Sequence, residues 1–255
     1  MDQKNFDNDY RTEDDCLQYI FDLKWKNGFS CFKCGHTKSW KGRTHFNRRC
    51  SKCRYDESAL ANTVFHKLKI PLKTAFGITF NILFFKTGVS SPDLARRFRI
   101  NQKSAWYFSR KLQQALSSAK PEKCTNISGR RSLSIDSIIV SGRKSGSNGL
   151  QQVHLEVEEF EDSNYEGPQM RGEISMPNGE EKEASELLKG KFNQPNPSIK
   201  VWNFKVGLTG THHHCSEKYM QGYKDEFMLK YNYRNRLKRL WPDIMIRLVQ
   251  RSPRK

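Results

Sequence analysis

A chain of 255 residues is long enough for one or two domains with a sizeable core, and its formal net charge of +18 with a pI near 9.7 gives it a positive surface potential. That charge favours a polyanionic partner, DNA or RNA, the more so because aromatic side chains are interleaved with the basic ones. No run of about 18 apolar residues exists, which argues against a membrane span, and the acidic, polar residues 1–15 do not read as a secretory leader.

The expected setting is therefore intracellular and reducing: cytoplasm or nucleoid in a prokaryote, nucleus in a eukaryote. Seven cysteines are an odd number, and four of them fall into two CxxC pairs, which points to a metal and not to disulfides. The remaining Cys16, Cys124 and Cys215 read as ordinary thiols. Charge is unevenly spread. Residues 156–186 hold 11 of the 27 acidic residues against two basic ones, Arg171 and Lys182, the mark of a solvated face or of a loop kept away from phosphates.

In chain order, Cys16, Leu17, Ile20, Phe21 and Leu23 recur at helical spacing within 12–28, and Asn27-Gly28 is a stop signal. Residues 29–55 are short-patterned, punctuated by glycine and anchored by cysteine, which suits two small hairpins. Residues 71–116 are helical in pattern, with breaks at Thr87-Gly88 and at Arg99-Ile100-Asn101. Residues 120–131 read as a linker. Strands are expected at 132–140 and 153–157, with a weaker one at 171–176. A helix is expected at 180–191, a Pro/Asn-rich loop at 193–198, and a helical stretch at 219–248 broken at Pro242. No internal repeat is visible.

Cys31-Phe-Lys-Cys34 and Cys50-Ser-Lys-Cys53, with fifteen residues between the pairs, have the spacing of a structural four-thiolate Zn2+ site. Four thiolates close the tetrahedron, so the metal folds the module, does no chemistry, and leaves His36 and His45 unneeded. Lys33, Lys41, Arg43, Arg48, Arg49, Lys52 and Arg54 surround the cysteines, with Lys38, Trp40, Phe46 and Tyr55 among them. Phosphate binding is the natural use of such a surface, contact with another protein being the alternative.

The segment 88–98 starts a helix well, with Ser90 or Ser91 as N-cap and Pro92 at the first helical position. After the Arg99-Ile100 turn, Asn101 can cap a second helix from Gln102, in which Ala105, Phe108, Leu112 and Ala115 face inward while Lys103, Arg110 and Lys111 are expected to stay exposed. A short helix, a tight turn and a longer helix form a helix-turn-helix that enters a major groove, or a plain packing hairpin. Asn101, Gln102, Lys103, Arg110 and Lys111 are the DNA-contact candidates there.

The ribbon, the following Asn62-Thr-Val-Phe-His-Lys67 with Ile70-Pro-Leu-Lys73, and the segment 88–116 resemble the N-terminal half of zinc-ribbon insertion-sequence transposases of the DD(E/N)K type, relatives of the eukaryotic Merlin elements. Trp202-Asn-Phe-Lys205, the block Leu208-Thr-Gly-Thr-His-His-His-Cys-Ser216, Met220-Gln-Gly-Tyr-Lys-Asp-Glu-Phe227 and Tyr231-Asn-Tyr-Arg234 resemble the same family. The resemblance implies an α+β, multi-module chain: a helical lead-in (1–28), a zinc ribbon (29–58), a helix-turn-helix segment (68–118), a ribonuclease-H-like α/β domain (130–235) and a basic tail (236–255). It also implies a mixed sheet on which carboxylates hold two Mg2+ ions for strand cleavage and joining.

On that resemblance the first acid is Asp136, the third position is Asn196, with Asn203 the second choice, and the lysine is Lys205. Ser137 and Lys200 stand where the family carries acids. No aspartate occurs between Ser163 and Asn203, so the second acid has no obvious counterpart, Glu161, Asp162 and Glu186 being the nearest substitutes. Only 59 residues separate Asp136 from Asn196, which implies an internal deletion in the catalytic domain. The adjacent His212, His213 and His214 point in different directions and read as packing or phosphate contacts, not as one metal site. The expected partner is double-stranded DNA, terminal inverted repeats in an active transposase, with homo-oligomers to pair the ends. The alternatives are a catalytically dead or repurposed DNA-binding protein and a zinc-ribbon transcription or RNA-processing factor.

Overall fold

Local signals set the first two helices. Asp2 caps α1 (Gln3–Asp9) by accepting from the Asn5 amide at 2.8 Å, and α2 (Glu13–Lys24) opens with a reciprocal capping box between Thr12 and Asp15. Acids in the first turn and Lys24 in the last suit the dipole of α2, which buries Cys16 and Ile20 one turn apart. The computed structural model describes residues 2–117, 132–140, 151–160, 169–175, 199–212 and 215–250.

Three short strands follow, β1 (Ser39–Lys41), β2 (Asn47–Cys50) and β3 (Asp56–Ser58), paired antiparallel in the order β1-β2-β3. The register sets Trp40 opposite Arg49 and Arg49 opposite Asp56. The sheet is one strand larger than the expected second hairpin, because Asp56–Ser58 returns along β2.

Helix α3 (Leu72–Phe84) is apolar around its whole circumference, and residues 75–83 are all buried. Thr79 and Asn81 survive inside it because their side chains donate to the carbonyls of Ala75 and Gly77 one turn back. No local cap precedes it. Glu13 of α2 supplies one from a distance, its two oxygens each accepting at 2.9 Å from the Leu72 and Lys73 amides. Helices α4 (Ser91–Phe98) and α5 (Gln102–Ser117) break where the sequence breaks, at Arg99 with φ 52°. Gly77 lets α4 close on α3, since a Cβ there would lie 2.5 Å from the Phe98 ring.

The chain divides into two units, and the first takes in Met1–Leu83, Ser91–Leu116 and Leu237–Lys255. The stretch expected as a basic tail therefore contains a core helix, α8 (Leu237–Gln250), which buries Leu240, Trp241, Ile244, Met245, Leu248 and Val249. Trp241 meets Phe6, Tyr10, Phe76 and Phe80 at ring separations of 5.4, 5.6, 5.8 and 6.2 Å and donates its indole N–H to the Tyr10 hydroxyl at 2.8 Å. Pro242 does not break α8, contrary to the sequence reading. An interior proline costs about 3 kcal/mol, whereas each fully buried large apolar side chain contributes roughly 1.5–3 kcal/mol, so six of them hold the helix. The break falls at 234–236 instead.

The second unit comprises Phe84–Ser90 and Ser117–Arg236. Its strands β4 (Ser132–Val140), β5 (Gln151–Phe160) and β6 (Gln169–Ser175) pair antiparallel in sequence order. The mixed sheet expected of a ribonuclease-H-like domain needs a parallel pairing, and the described strands have none. Helices α6 (Ile199–His212) and α7 (Glu217–Tyr233) complete the unit around Met170, Phe204, Leu208, Cys215, Met220 and Met228. Helix α6 was not expected, for it carries Gly207, Gly210 and several β-branched residues. Burial of Phe204 and Leu208 one turn apart overrides that propensity. Asn232 of α7 docks on β6, accepting from the Met170 amide at 2.7 Å and donating to its carbonyl at 2.9 Å. The expected linker (120–131), helix (180–191) and loop (193–198) lie outside the described residues.

Candidate metal centre and nucleic-acid interface

The two CxxC turns fold alike. In the first, the Cys31 amide donates to His36 O (2.9 Å) and the Gly35 amide to Cys31 O (2.8 Å). In the second, Cys50 donates to Tyr55 O (2.9 Å) and Arg54 to Cys50 O (3.0 Å), so the bonds recur at the same offsets. Gly35 and Arg54, at φ 70° and 58°, turn the chain out of each knuckle.

These turns bring the four sulfurs within 4.8 Å of one another, with Cys31 Sγ 3.6 Å from Cys53 Sγ and Cys34 Sγ 3.5 Å from Cys50 Sγ. A Zn–S bond of about 2.3 Å puts tetrahedral sulfurs about 3.8 Å apart, so the cluster fits structural Zn2+ with a small expansion. Among the described residues it is the only such grouping of metal-ligating side chains. Phe29, Cys31 and Cys50 are buried, with Trp25, Cys53 and Tyr55 against them, so the ligands are also the core of the ribbon. His36 contributes backbone atoms to the knuckle.

The thiols are tuned unequally. Burial works to raise Cys50, but the Cys53 and Lys52 amides and hydrogen bonds with the Cys34 and Cys53 sulfurs outweigh it and bring the group down to about 6. Cys34 accepts from the His36 amide, which lowers it, yet desolvation and its sulfur neighbours push it up to about 12. Four adjacent sulfurs cannot all ionise unaided, and a divalent cation at their centre removes that conflict.

The ribbon is fastened to α2 by a buried ion pair absent from the sequence reading. Lys24 Nζ donates to Glu57 Oε1 at 2.7 Å, to Ser58 O at 2.9 Å and to Ala61 O at 2.7 Å. Arg48 is half-buried, its guanidinium 5.0 Å from the Phe21 ring centre. Lys33, Lys41, Arg43, Arg49, Lys52 and Arg54 are exposed, as are Phe32 (62%) and Trp40 (64%).

Residues 11–56 match the family Zn_ribbon_IS1595, a transposase zinc-ribbon domain. The matched stretch runs from the residue before the Thr12 cap through α2 to the first residue of β3, so the transposase-type ribbon includes the helix that Lys24 ties to it. The likeness covers the ribbon and its lead-in helix, a minority of the chain. No curated protein and no solved structure matches the chain.

Beyond the transposase-type ribbon, α5 presents Asn101, Gln102 and Lys103 exposed beside Trp106, around a concavity of about 440 Å³. Asn101 is committed to capping, its Oδ1 accepting from the Lys103 amide at 2.8 Å, which leaves its amide N–H groups free to donate outward. Ala105, Phe108, Leu112 and Ala115 are buried as expected. Lys111 departs from the expected exposure. It is half-buried and donates to His66 O at 2.8 Å, and burial lowers its pKa. Arg110 is half-buried too, bonded to Gln113 at 2.8 Å and lying 5.6 Å over Trp106. Tyr107, 58% exposed on α5, was missed because its place between helical core positions gives no local sign of exposure.

In the second unit Asp136 stands on β4 in register with Leu155, and Lys205 lies on α6 beside buried Phe204; Asn196 lies outside the described residues. The His212 ring lies 4.2 Å from the Tyr223 ring, tilted by 41°, and His213 and His214 lie outside the described residues. A cavity of about 570 Å³ is lined by Lys86, Gly88, Phe204, Gly207, Tyr223 and Lys230 among others. Among the described residues no helix is long and apolar enough to cross a membrane.

Proposed function

We propose that the chain is a transposase-like DNA-binding protein whose first unit grips duplex DNA. The observation that carries the reading is the convergence of Cys31, Cys34, Cys50 and Cys53 inside the stretch matched to a transposase zinc ribbon, surrounded by exposed Lys and Arg. The zinc fixes the loops; Lys33, Lys41, Arg43, Arg49, Lys52 and Arg54 neutralise phosphates. Helices α4 and α5 act as a helix-turn-helix, with Gln102, Lys103 and the outward N–H groups of Asn101 offered to base edges.

The Mg2+ chemistry that the resemblance implies is a separate matter. Asp136 offers one carboxylate and Asn196 one neutral oxygen, and residues 163–203 hold no aspartate. That donor set does not complete a two-metal site, and no strand-transfer step is assigned. DNA retention without cleavage is the activity proposed; an active enzyme would also pair element ends as a multimer.

The six ribbon contacts alone contribute a slope of about −5 to the fall of log K against log salt. Chelation of zinc, or Cys50→Ser, should abolish this binding. Duplex affinity indifferent to salt, or unchanged after zinc removal, would refute the reading. Mg2+-dependent nicking abolished by Asp136→Ala would establish catalysis instead.

A further inference from the structure

Four residues other than glycine have left-handed backbones: Arg54 (φ 58°), Asn62 (59°), Lys67 (51°) and Arg99 (52°). Asparagine tolerates that conformation comparatively well. The other three are all cations, and all are exposed. Each stands at a tight turn. Arg54 closes the second zinc knuckle; Lys67 follows the turn in which the His66 amide donates to Thr63 O at 3.1 Å; Arg99 joins α4 to α5, where the Ile100 amide donates to Ala95 O at 3.1 Å.

The first knuckle shows the unstrained solution, for Gly35 occupies the position equivalent to Arg54 and makes the same backbone bond. Glycine is the residue that adopts this backbone without cost. Nor do the three side chains repay the strain inside the protein, since none makes a hydrogen bond or ion pair with a described residue. Strain of this kind is held in place by the surrounding turn and clusters at sites that contact ligands.

We propose that Arg54, Lys67 and Arg99 are DNA-backbone phosphate contacts, cations carried on rigid turns. This rests on the reading of the first unit as a DNA-binding module. It extends that reading to Lys67 and Arg99, which lie outside both the ribbon and α5. A tight turn fixes the base of each long side chain, so less freedom is lost on contact than from a flexible loop. Such contacts position the protein and carry no sequence information.

The test replaces all three by glycine, Arg54→Gly/Lys67→Gly/Arg99→Gly, in the zinc-loaded full chain. Its charge-matched control, Lys4→Gln/Lys238→Gln/Arg239→Gln, alters exposed helical cations of the same unit. Affinity for mixed-sequence duplex DNA is measured between about 50 and 200 mM salt. The turn variant should lower the salt slope by about 3, roughly 0.9 per contact, with no fall in thermal midpoint, while the control keeps a slope near that of the parent. A turn variant with the parent's slope, or a control that loses as much, overturns the proposal and leaves the DNA-binding reading standing. A parent chain without salt-dependent retention overturns both.

Discussion

Replacing Lys24 by Met removes the ammonium that fastens α2 to the zinc ribbon. Its three donors meet three acceptors, Glu57 Oε1, Ser58 O and Ala61 O, within 2.7–2.9 Å, and the Lys24 and Glu57 side chains are only 12% and 4% exposed. Deleting one partner of a buried pair costs about 3–5 kcal/mol, because the other charge stays buried without compensation. Glu57 Oε2 already lacks a partner, so no neighbour stands ready to take over. The slight exposure of Lys24 places the expected loss near the lower end, about 3 kcal/mol.

Urea-dependent zinc release, followed with a chromogenic chelator, reads the ribbon alone and avoids treating two units as one transition. The double variant Lys24→Met/Glu57→Leu should recover most of the loss, since an apolar replacement of a whole buried pair is nearly neutral. The two carbonyls that lose their donor leave a remainder of about 1–2 kcal/mol. A single variant weakened by less than about 1 kcal/mol, or a double variant no better than the single, would refute the claim that this pair holds helix and ribbon together.

Asn232→Ala removes two bonds to the Met170 backbone and should cost about 1–3 kcal/mol, with faster hydrogen exchange at the Met170 amide; unchanged protection there counts against the clamp. Gly77→Ala gains helix propensity but drives a methyl into the Phe98 ring, so a net loss of about 1–3 kcal/mol is expected in thermal denaturation, and a more stable variant would show that α4 moves aside freely. Burial, with Glu13 and Asp15 nearby, raises the Cys16 thiol from 9.0 to about 12. The folded state thus favours the neutral thiol, and its contribution is whole below pH 9 and is lost as pH rises towards 12. Cys16→Ala should flatten that alkaline loss, and iodoacetamide at neutral pH should label Cys16 only in denaturant; native labelling at the rate of an open thiol would disprove this.

Much of the fold was legible because its signals are local. Two CxxC pairs at this spacing point to a metal from the ligands alone, and Asn101 starts α5 through its own side chain. Alternation exposed β4 and β5, though both ends of β5 ran further than the pattern showed. Where local chemistry was ambiguous the reading failed. Pro242 looks like a stop, and Gly207 and Gly210 look like breakers, until the burial of Trp241 and Phe204 is known.

What the sequence alone determined is the ribbon: ligand number, ligand spacing and the basic surface follow from residues within one short stretch. Only tertiary structure decided that a helix near the end of the chain completes the first unit, that Glu13 caps a helix 59 residues away, that Lys24 and Glu57 share one buried site, and that Lys111 turns inward. These depend on which distant groups become neighbours. Burial then changes the worth of the same charge or bond by several kcal/mol, and no local pattern records it.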